Sequence, residues 1–497
     1  MKRWIIFLHR YLGIPMSVVF VIWFVSGIFM IYAGDMPALT ESARLSGNGP
    51  LNLADVMLSP GEAVERAGFE GDVTSATLSQ VLGRPAYRLG YTFGLAATIF
   101  ADTGELFEQA DSSQALAAAA AFVGEPADAV QFVGTISQVD QWTIAEAGKL
   151  PLDRFDVNDG NGTRIYFSRD SGEVELLTNR RNRTLAWIGT IPHWFYFTPL
   201  RTNAPVWYRT VVWLSIVGCA LALLGLILAV TQFRRSRPFR LSTSIRYRGW
   251  MRWHYYTGAI FGVFALTWVF SGLLSMEPFA WTNATGMTLP RNDLQGGALA
   301  LDRYRLDDPV VAGAIDRGAI EIDLMRIQTE PYFSVATVGP DATVNRQLIH
   351  AATLETRSAL FPPESILDEL RTTVTEAGIR DYAVLEDYDA YYYARDDDAP
   401  LPVLRVKFND SDDTWAYFDL ATSAELGTNH RLSRLERWLF NGLHSLDFSF
   451  WYHRRPLWDI GLILLSLGAL ATSSIGMYLG FKRLFGRSNS KTAQAAD

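Results

Sequence analysis

Cysteine is almost absent from the chain, and several kinds of site are excluded with it. Cys219 is the only cysteine among 497 residues, and it lies inside an apolar run. A single cysteine cannot form an internal disulfide, a CxxCH attachment site for a covalent haem, or a cluster held by protein thiolates alone. Any metal centre in this chain must therefore use other side chains as ligands.

Sequence motifs of several enzyme classes are also missing. The chain contains no GxGxxG nucleotide fingerprint, no GxSxG nucleophile elbow and no HExxH zinc motif. The acidic run at residues 396–398 lacks the spacing of an EF-hand and is interpreted as a solvated loop. The formal net charge of −8 argues against nucleic acid as a partner.

Long apolar runs are present, and they are concentrated in four places. A membrane-spanning helix needs about 20 predominantly apolar residues. The first run is too long for the apolar part of a signal peptide and has no A-x-A cleavage site, so we expect it to be retained. The four predicted spans are Trp4–Tyr32, Val206–Phe233, Tyr255–Met276 and Leu457–Phe481.

Basic residues predict the orientation of these spans. The segment FRRSRPFRLSTSIRYRGWMR between the second and third spans holds seven arginines, and both ends of the chain are also basic. The positive-inside rule puts these three segments on the cytoplasmic side. The chain would then sit in a bacterial inner membrane with its large domains in the periplasm.

The predicted segments are a first span at 1–33, a periplasmic domain at 34–205, a second span at 206–233, a cytoplasmic loop at 234–253, a third span at 254–276, a second periplasmic domain at 277–456, a fourth span at 457–481 and a cytoplasmic tail at 482–497.

The first span returns later in the chain. HRYLGIPMSVVFVIWFVSGIFMIY at His9 matches HYYTGAIFGVFALTWVFSGLLSM at His254 with a shift of 245. At about 100° per residue, most of the shared positions fall on one helical stripe. A stripe of histidine, tryptophan and small residues favours the protein interior over lipid, and the small residues leave room for a large group, which we interpret as haem. The shared positions are His9/His254, Tyr11/Tyr256, Gly13/Gly258, Trp23/Trp268, Ser26/Ser271 and Gly27/Gly272.

The segments between the spans repeat as well. LPLDRFDVNDGNGTRIYF at Leu150 matches LPVLRVKFNDSDDTWAYF at Leu401 with a shift of 251, which extends through His193/His444 and Trp207/Trp458. The chain is therefore a tandem duplication. Because each half crosses the membrane an even number of times, the halves should be parallel, related by a pseudo-twofold axis along the membrane normal.

The segments predicted to lie outside the membrane have α+β character. In the first half we expect a helix at Ser59–Gly68, strands in PAYRLGYT and AATIFADTGELFE with a hairpin turn at Asp102, a short helix at Ala115–Phe122, and a hairpin pair in RFDVNDGNGTRIYFSRDSGEVELL. The second half reads PYFSVATV, RQLIHAATLETRSAL, a helix at Glu364–Ala377, LRVKFND and TWAYFDLATSAEL.

These patterns carry a family resemblance. The helix-plus-hairpin unit ending in DTGE or DSGE resembles a PepSY domain, and LHRYLG followed by a long apolar helix with WFVSG resembles the PepSY-associated transmembrane family. The resemblance covers nearly the whole chain. It implies four α-helical spans with two PepSY-like α+β domains and a similarity to iron-regulated inner-membrane proteins, including ferric-siderophore reductases that carry haem between their helices.

Four of the seven histidines recur in both halves: His9 with His254, and His193 with His444. The first two lie near the cytoplasmic ends of their spans, and the other two precede the second and fourth spans on the outer side. The two levels are separated by most of a bilayer of about 30 Å, so one haem iron cannot use a ligand from each. Ligands from opposite halves at one level can pair, which predicts two bis-histidine b-type haems held non-covalently. Gly13 and Gly258, one turn from the inner histidines, would let a porphyrin lie against the backbone.

Other interpretations of these residues stay open. Each histidine alone fits an interfacial position that reaches water, and Trp23 and Trp268 fit ordinary packing. The sequence favours Arg10 and the arginines of 246–252 as partners of haem propionates, and Tyr11 and Tyr256 as interfacial residues. His350, His430 and His453 have no counterpart in the other half of the chain. His350 and His430 are interpreted as ordinary residues of the outside domains, and His453, in FWYHRRP, as a residue that faces lipid headgroups.

The resulting hypothesis is a haem protein that passes electrons outward through the membrane. By resemblance, the acceptor is a ferric siderophore or another ferric chelate. Since no flavin or nicotinamide fingerprint is present, the electrons must come from a separate cytoplasmic donor or the quinone pool. The alternative is a non-enzymatic membrane protein whose PepSY-like domains bind or inhibit a periplasmic partner such as a peptidase. A transporter is less favoured, because we expect the spans to lack the intramembrane carboxylates that proton-coupled transporters usually carry.

Overall fold

The computed structural model describes residues 2–91, 96–233, 244–245, 247–283, 287–290, 294, 297–315, 318–394 and 399–485. These residues form two compact units, each assembled from separate stretches of chain. A helical unit is drawn from 1–36, 181–283 and 432–497, and a sheet unit is drawn from 37–180 and 284–431. Most of the basic loop (234–243 and 246), the acidic run at 396–398 and the tail from 486 lie outside the described residues.

The described α-helices follow the apolar and capping patterns of the sequence. In chain order they are α1 (Lys2–Ala33), α2 (Glu41–Asn48), α3 (Pro60–Ala67), α4 (Ser112–Val123), α5 (Arg180–Ile188), α6 (Thr190–Trp194), α7 (Thr198–Arg201), α8 (Ala204–Gln232), α9 (Trp250–Ser275), α10 (Pro309–Ala314), α11 (Pro363–Thr373), α12 (Arg431–Arg437), α13 (Ser449–Tyr452) and α14 (Leu457–Phe485). Short 3₁₀ turns lie at Leu53–Asp55, Ala127–Ala129, Ala147–Lys149, Pro278–Ala280 and Leu301–Arg303, and a π-helix covers Trp438–Gly442.

Four of these helices, α1, α8, α9 and α14, are long and apolar enough to cross a membrane, as the sequence predicts. A helix suits such a segment because it pairs every backbone polar group within itself. Each begins or ends up to five residues from its predicted boundary. Helix α1 packs against α8 and α14, and α9 packs against the same two helices, so α1 and α9 lie at opposite corners of the bundle.

One acidic residue in these helices corrects the expectation that the spans lack carboxylates. Asp459 lies in the first turn of α14, is buried, and forms an ion pair with Arg455 four residues earlier. Asp459 therefore lies at a helix end and is paired with a cation. A carboxylate of the kind that serves proton transport lies in the middle of a span instead.

The sheet unit contains fifteen described strands. They are β1 (Val73–Val81), β2 (Arg84–Tyr91), β3 (Ala96–Phe100), β4 (Val130–Ile136), β5 (Leu152–Val157), β6 (Arg164–Ser168), β7 (Glu173–Thr178), β8 (Glu321–Ile327), β9 (Glu330–Val338), β10 (Val344–His350), β11 (Thr356–Arg357), β12 (Ile379–Leu385), β13 (Val403–Phe408), β14 (Trp415–Asp419) and β15 (Glu425–Asn429).

A single seven-stranded sheet joins the two halves of the chain. Its order is β11-β10-β9-β8-β1-β2-β3, and the seam is the antiparallel pair of β1 with β8. The partners across the seam are Ala76↔Leu324, Thr77↔Asp323 and Leu78↔Ile322. The two segments that the sequence predicts to be separate modules therefore share one sheet, because each leaves an unpaired strand edge that the other completes.

Two four-stranded sheets complete this unit, one from each half. Strands β4 to β7 follow in sequence order, with the buried alanines of α4 on one face, and β12 to β15 do the same with α11. Every pairing within these sheets is antiparallel. Alternating burial along β5 and β13 leaves one face of each sheet for a helix.

Local predictions agree with these elements in most places. Ser59 caps α3 through a capping box with Glu62, and Gly68 ends the helix in the left-handed conformation. The helix predicted at Glu364–Ala377 ends at Thr373 instead, because Val374 turns extended and packs into the core of the β12–β15 sheet. The second arm of the hairpin predicted at Asp102 is reduced to a single bridge, Ile99 with Leu106. Strands β1, β4, β8 and β12 were not predicted.

Candidate functional site

The helical unit brings His9 and His254 together at one end of the bundle. Their ring centroids lie 6.3 Å apart, although the residues belong to α1 and α9 at opposite corners. The two rings therefore face each other across the interior. This inner pair joins the two halves of the chain.

A backbone carbonyl orients each inner histidine. His9 Nδ1 lies 3.2 Å from the Leu221 carbonyl oxygen on α8, and His254 Nδ1 lies 3.1 Å from the Thr472 carbonyl oxygen on α14. Since a carbonyl oxygen only accepts, Nδ1 carries the proton in both rings and donates it. The Nε2 atoms are then unprotonated, which is the form that binds a metal, and an acceptor on the other nitrogen is the usual support for such a ligand.

Two glycines give these rings their space. A Cβ added to Gly225 on α8 would lie 2.9 Å from His9 Cε1, and one added to Gly476 on α14 would lie 3.2 Å from His254 Cε1. A side chain at either position would push the imidazole away. Leu221/Thr472 and Gly225/Gly476 are both related by the shift of 251, so the whole arrangement recurs.

A cavity of about 350 Å³ surrounds the inner pair. This volume lies within the range of pockets that hold small molecules and cofactors. Both predicted glycines line the cavity, and a Cβ on either would make only an ordinary contact, with Leu221 or Thr472. The polar and glycine lining includes His9, His254, Gly13, Gly258, Gly225, Gly476, Arg10, Arg483, Gln232, Tyr247 and Tyr255.

A second pair, His193 and His444, lies towards the other end of the bundle. Their ring centroids are 6.0 Å apart. His193 sits on α6 and His444 follows the π-helix, so neither belongs to a long helix. Ser26, which contacts this outer pair, lies seventeen positions after His9 on α1, and this separation corresponds to about 25 Å of helix.

Serine and glycine from the repeated stripe support the outer pair. Ser26 Oγ lies 3.1 Å from His193 Nδ1, and Ser271 Oγ lies 2.9 Å from His444 Nδ1. Both hydroxyls donate to carbonyls of their own helices, which leaves their oxygens to accept from the imidazoles. Gly27 lies against the His193 ring, as Gly225 lies against the His9 ring. A Cβ added to Gly27 would lie 3.3 Å from His193 Cε1.

Indole groups hold the segments that carry the outer histidines. Trp23 Nε1 donates to the His193 carbonyl oxygen at 3.1 Å. Trp207 donates to the Trp194 carbonyl oxygen, and its repeat Trp458 donates to the Ser445 carbonyl oxygen. Burial lowers the pKa of His193 to about 4, so its imidazole is neutral at neutral pH.

The ring separations suit two ligands on opposite sides of one metal ion. With metal–nitrogen bonds of about 2.0 Å and each nitrogen about 1 Å from its ring centre, opposed imidazole centroids would lie about 6 Å apart. Among the described residues, no group of three or more His, Cys, Asp or Glu forms a metal cluster. Each level therefore offers two protein ligands, which fits a group such as haem that supplies the remaining ones itself.

The arginines predicted to neutralise propionates and the three remaining histidines lie in different parts of the structure. Arg10 lines the inner cavity, whereas Arg246 lies outside the described residues and Arg252 donates to the Tyr247 carbonyl oxygen. His350 accepts hydrogen bonds from two backbone N–H groups at the end of β10. His430 lies in the sheet unit and His453 is exposed, so neither joins a pair.

Sequence reasoning missed the residues that contact the histidines from neighbouring helices. These are the Leu221 and Thr472 carbonyls, Gly225, Gly476 and Arg483. The shift of 251 applied to the second and fourth spans would have identified the two glycines. The carbonyl contacts have no signal in the sequence, since any residue carries a carbonyl.

The fold and site define a class: a protein with four helices long and apolar enough to span a membrane, an α+β sheet unit, and two levels of paired histidines. The chain belongs to the family described as the PepSY-associated TM region, whose model matches residues 6–309. This membership confirms the resemblance to the PepSY-associated transmembrane family. No curated protein shows significant similarity to the chain.

Proposed function

We propose that the protein is a transmembrane electron carrier that holds two b-type haems, one at each histidine pair. The observation that carries this proposal is the convergence of four histidines, from distant parts of the chain, into two pairs 6.3 Å and 6.0 Å apart. Haem supplies one-electron chemistry at its iron. The residues named below would bind and orient it.

At the inner level, His9 and His254 would hold the haem iron through their imidazoles. The Leu221 and Thr472 carbonyls fix both rings, and Gly13 and Gly258 leave the cavity wall open beside them. Arg10 and Arg483 line the same cavity and would neutralise anionic propionates. At the outer level, His193 and His444 would be the ligands, oriented by Ser26 and Ser271.

The apolar layer between the levels supports a function in electron transfer more than in ion transport. Phe20, Phe24, Trp268 and Leu462 are among the buried residues that fill the bundle there. A packed apolar layer opposes the passage of ions, whereas electrons can cross between two bound redox groups.

The basic segments support a direction for the electron, and the family resemblance supports an acceptor. The basic loop and termini support a cytoplasmic position for the inner level and a periplasmic position for the sheet unit in the bacterial inner membrane. Family resemblance supports a ferric siderophore or another ferric chelate as the acceptor, with Fe(III) taking one electron to become Fe(II). The electron would come from a separate cytoplasmic donor or the quinone pool.

An optical spectrum of the detergent-purified protein tests the proposal. We expect dithionite to produce the bands of b-type haem, and a pyridine haemochrome assay to give two haems per chain. His9→Ala and His444→Ala should each lower the haem content, while the matched control His453→Ala, at an exposed histidine, should leave it unchanged. A colourless protein, expressed with adequate haem, would contradict the proposal and favour the alternative of a partner-binding membrane protein.

A further inference from the structure

Two equivalent tryptophans near the outer histidine pair differ in their hydrogen bonding. The Trp23 indole N–H donates to the His193 carbonyl oxygen at 3.1 Å. The Trp268 indole N–H, its repeat in α9, has no acceptor within the described parts of the chain. Since Trp268 is only 7% exposed, solvent cannot supply that acceptor.

A buried indole N–H normally finds a partner, because leaving a desolvated donor unpaired costs as much as losing a hydrogen bond. Indoles near a membrane surface often direct this group towards lipid headgroups. Trp268 does not lie at that surface. Its ring contacts Phe24 of α1 at a centroid distance of 5.9 Å and Phe264 at 6.0 Å, which places it inside the bundle.

The same residue is part of the support of the outer pair. The Trp268 carbonyl oxygen accepts from His444 Nδ1 at 3.2 Å, and Ser271, on the next turn of α9, contacts the same nitrogen. The unpaired donor therefore lies about one helical turn inward from the outer pair. A group bound between His193 and His444 is the nearest candidate for an acceptor.

The segments leading to the two outer histidines explain why the halves differ. In the first half, α5 ends at Ile188 and α6 begins at Thr190. In the second half a π-helix, Trp438–Gly442, precedes His444. The two backbones thus follow different paths, and Trp268 does not meet a carbonyl as Trp23 does. π-Helices are frequent at functional sites, where they redirect a side chain.

We propose that the Trp268 indole N–H donates a hydrogen bond to the haem held by the outer histidine pair. The inference rests on the proposed function, and it makes the two tryptophans unequal: Trp23 supports the protein backbone, and Trp268 serves the bound group. A donor beside that haem stabilises added negative charge, so it raises the midpoint potential of the outer haem.

A redox titration followed by optical spectroscopy tests this assignment on the full-length protein. We expect Trp268→Phe to lower the midpoint potential of one haem and to leave the other unchanged, with two haems still bound. The control Trp213→Phe, at an indole on α8 that is 64% exposed, should leave both potentials unchanged.

Trp268→Tyr separates loss of the donor from loss of indole packing. Tyrosine and phenylalanine rings have the same shape, but tyrosine keeps a donor, so its shift in potential should be smaller. Equal shifts for Trp268→Phe and Trp268→Tyr, or no shift for Trp268→Phe, would overturn the inference while leaving the two-haem proposal intact. A colourless wild-type protein would overturn both.

Discussion

The positions of the inner imidazole rings, those of His9 and His254, depend on two glycines of neighbouring helices. Gly225 and Gly476 lie so close to His9 and His254 that any Cβ would be within 3.2 Å of the ring. Packed interiors do not absorb such contacts without displacement. At the residue scale, the position of each inner histidine ring is therefore limited by a glycine on another helix.

Gly225→Ala should displace the His9 ring and reduce haem binding at the inner level. We expect the haem content of the purified variant to fall from two per chain towards one, measured by pyridine haemochrome. Leu223→Ala, two residues away and 51% exposed, is the matched control and should retain both haems. Equal haem contents in the two variants would argue against the inner site.

Glu321 is the corresponding single-residue feature of the sheet unit. Its side chain is 7% exposed and is held by Arg44 through contacts of 2.6 and 3.0 Å. Burial alone would raise the pKa of this carboxyl, but the Arg44 guanidinium outweighs burial and holds the pKa below its ordinary value. Such a group stabilises the fold above its unfolded pKa of about 4.3, and the stabilisation is lost as pH falls through the folded pKa.

Glu321→Gln should therefore lower the melting temperature at neutral pH, because Arg44 loses its ion pair. Between about pH 5 and pH 3 the variant should lose less additional stability than the wild type, since it no longer has this carboxylate to protonate. Thermal unfolding at several pH values measures both effects. The exposed Glu65 provides the control: Glu65→Gln should follow the wild-type curve.

At the scale of elements, the seam between β1 and β8 connects the two halves. Thr77 Oγ1 donates to Asp323 Oδ1 at 2.8 Å across this seam, and Arg346 holds the other oxygen of the same carboxylate at 2.7 Å. By contrast, Thr74 Oγ1 donates to Gly90 O within the hairpin of the first half. The chain thus offers a threonine at the seam and a comparable one away from it.

A double-mutant cycle of Thr77→Val with Asp323→Ala should give a coupling of about 0.5–1.5 kcal/mol, the usual net contribution of one hydrogen bond. The cycle of Thr74→Val with Asp323→Ala should give nearly none. Unfolding free energies or melting temperatures of the purified variants supply the measurement. If both cycles gave the same coupling, the seam would not contribute as described.

At the scale of the whole molecule, the basic loop and termini predict the orientation in the membrane. The single native cysteine makes this testable, because Cys219→Ser gives a background without thiols. In that background, Ser112→Cys in the sheet unit should react with a membrane-impermeant maleimide in intact cells. Ser488→Cys in the tail should react only after the membrane is opened. The reverse pattern of labelling would invert the proposed direction of electron flow.

Several features were predictable because they are properties of short stretches of chain. The four apolar runs, the helix at Ser59–Gly68 and the strands β5 to β7 each follow from local composition or periodicity. The tandem repeat follows from comparing the sequence with itself, and it singled out the four histidines. The interpretation of those histidines as haem ligands stays a prediction.

The sequence by itself thus determined the number of long apolar helices, the α+β character of the rest, and which histidines recur. Only the tertiary structure decided that His9 meets His254, that Gly225 makes room for His9, and that β1 joins β8. The physical reason is separation along the chain. His9 and the Leu221 carbonyl that orients it are 212 residues apart, and such contacts depend on which helices and strand edges pack together.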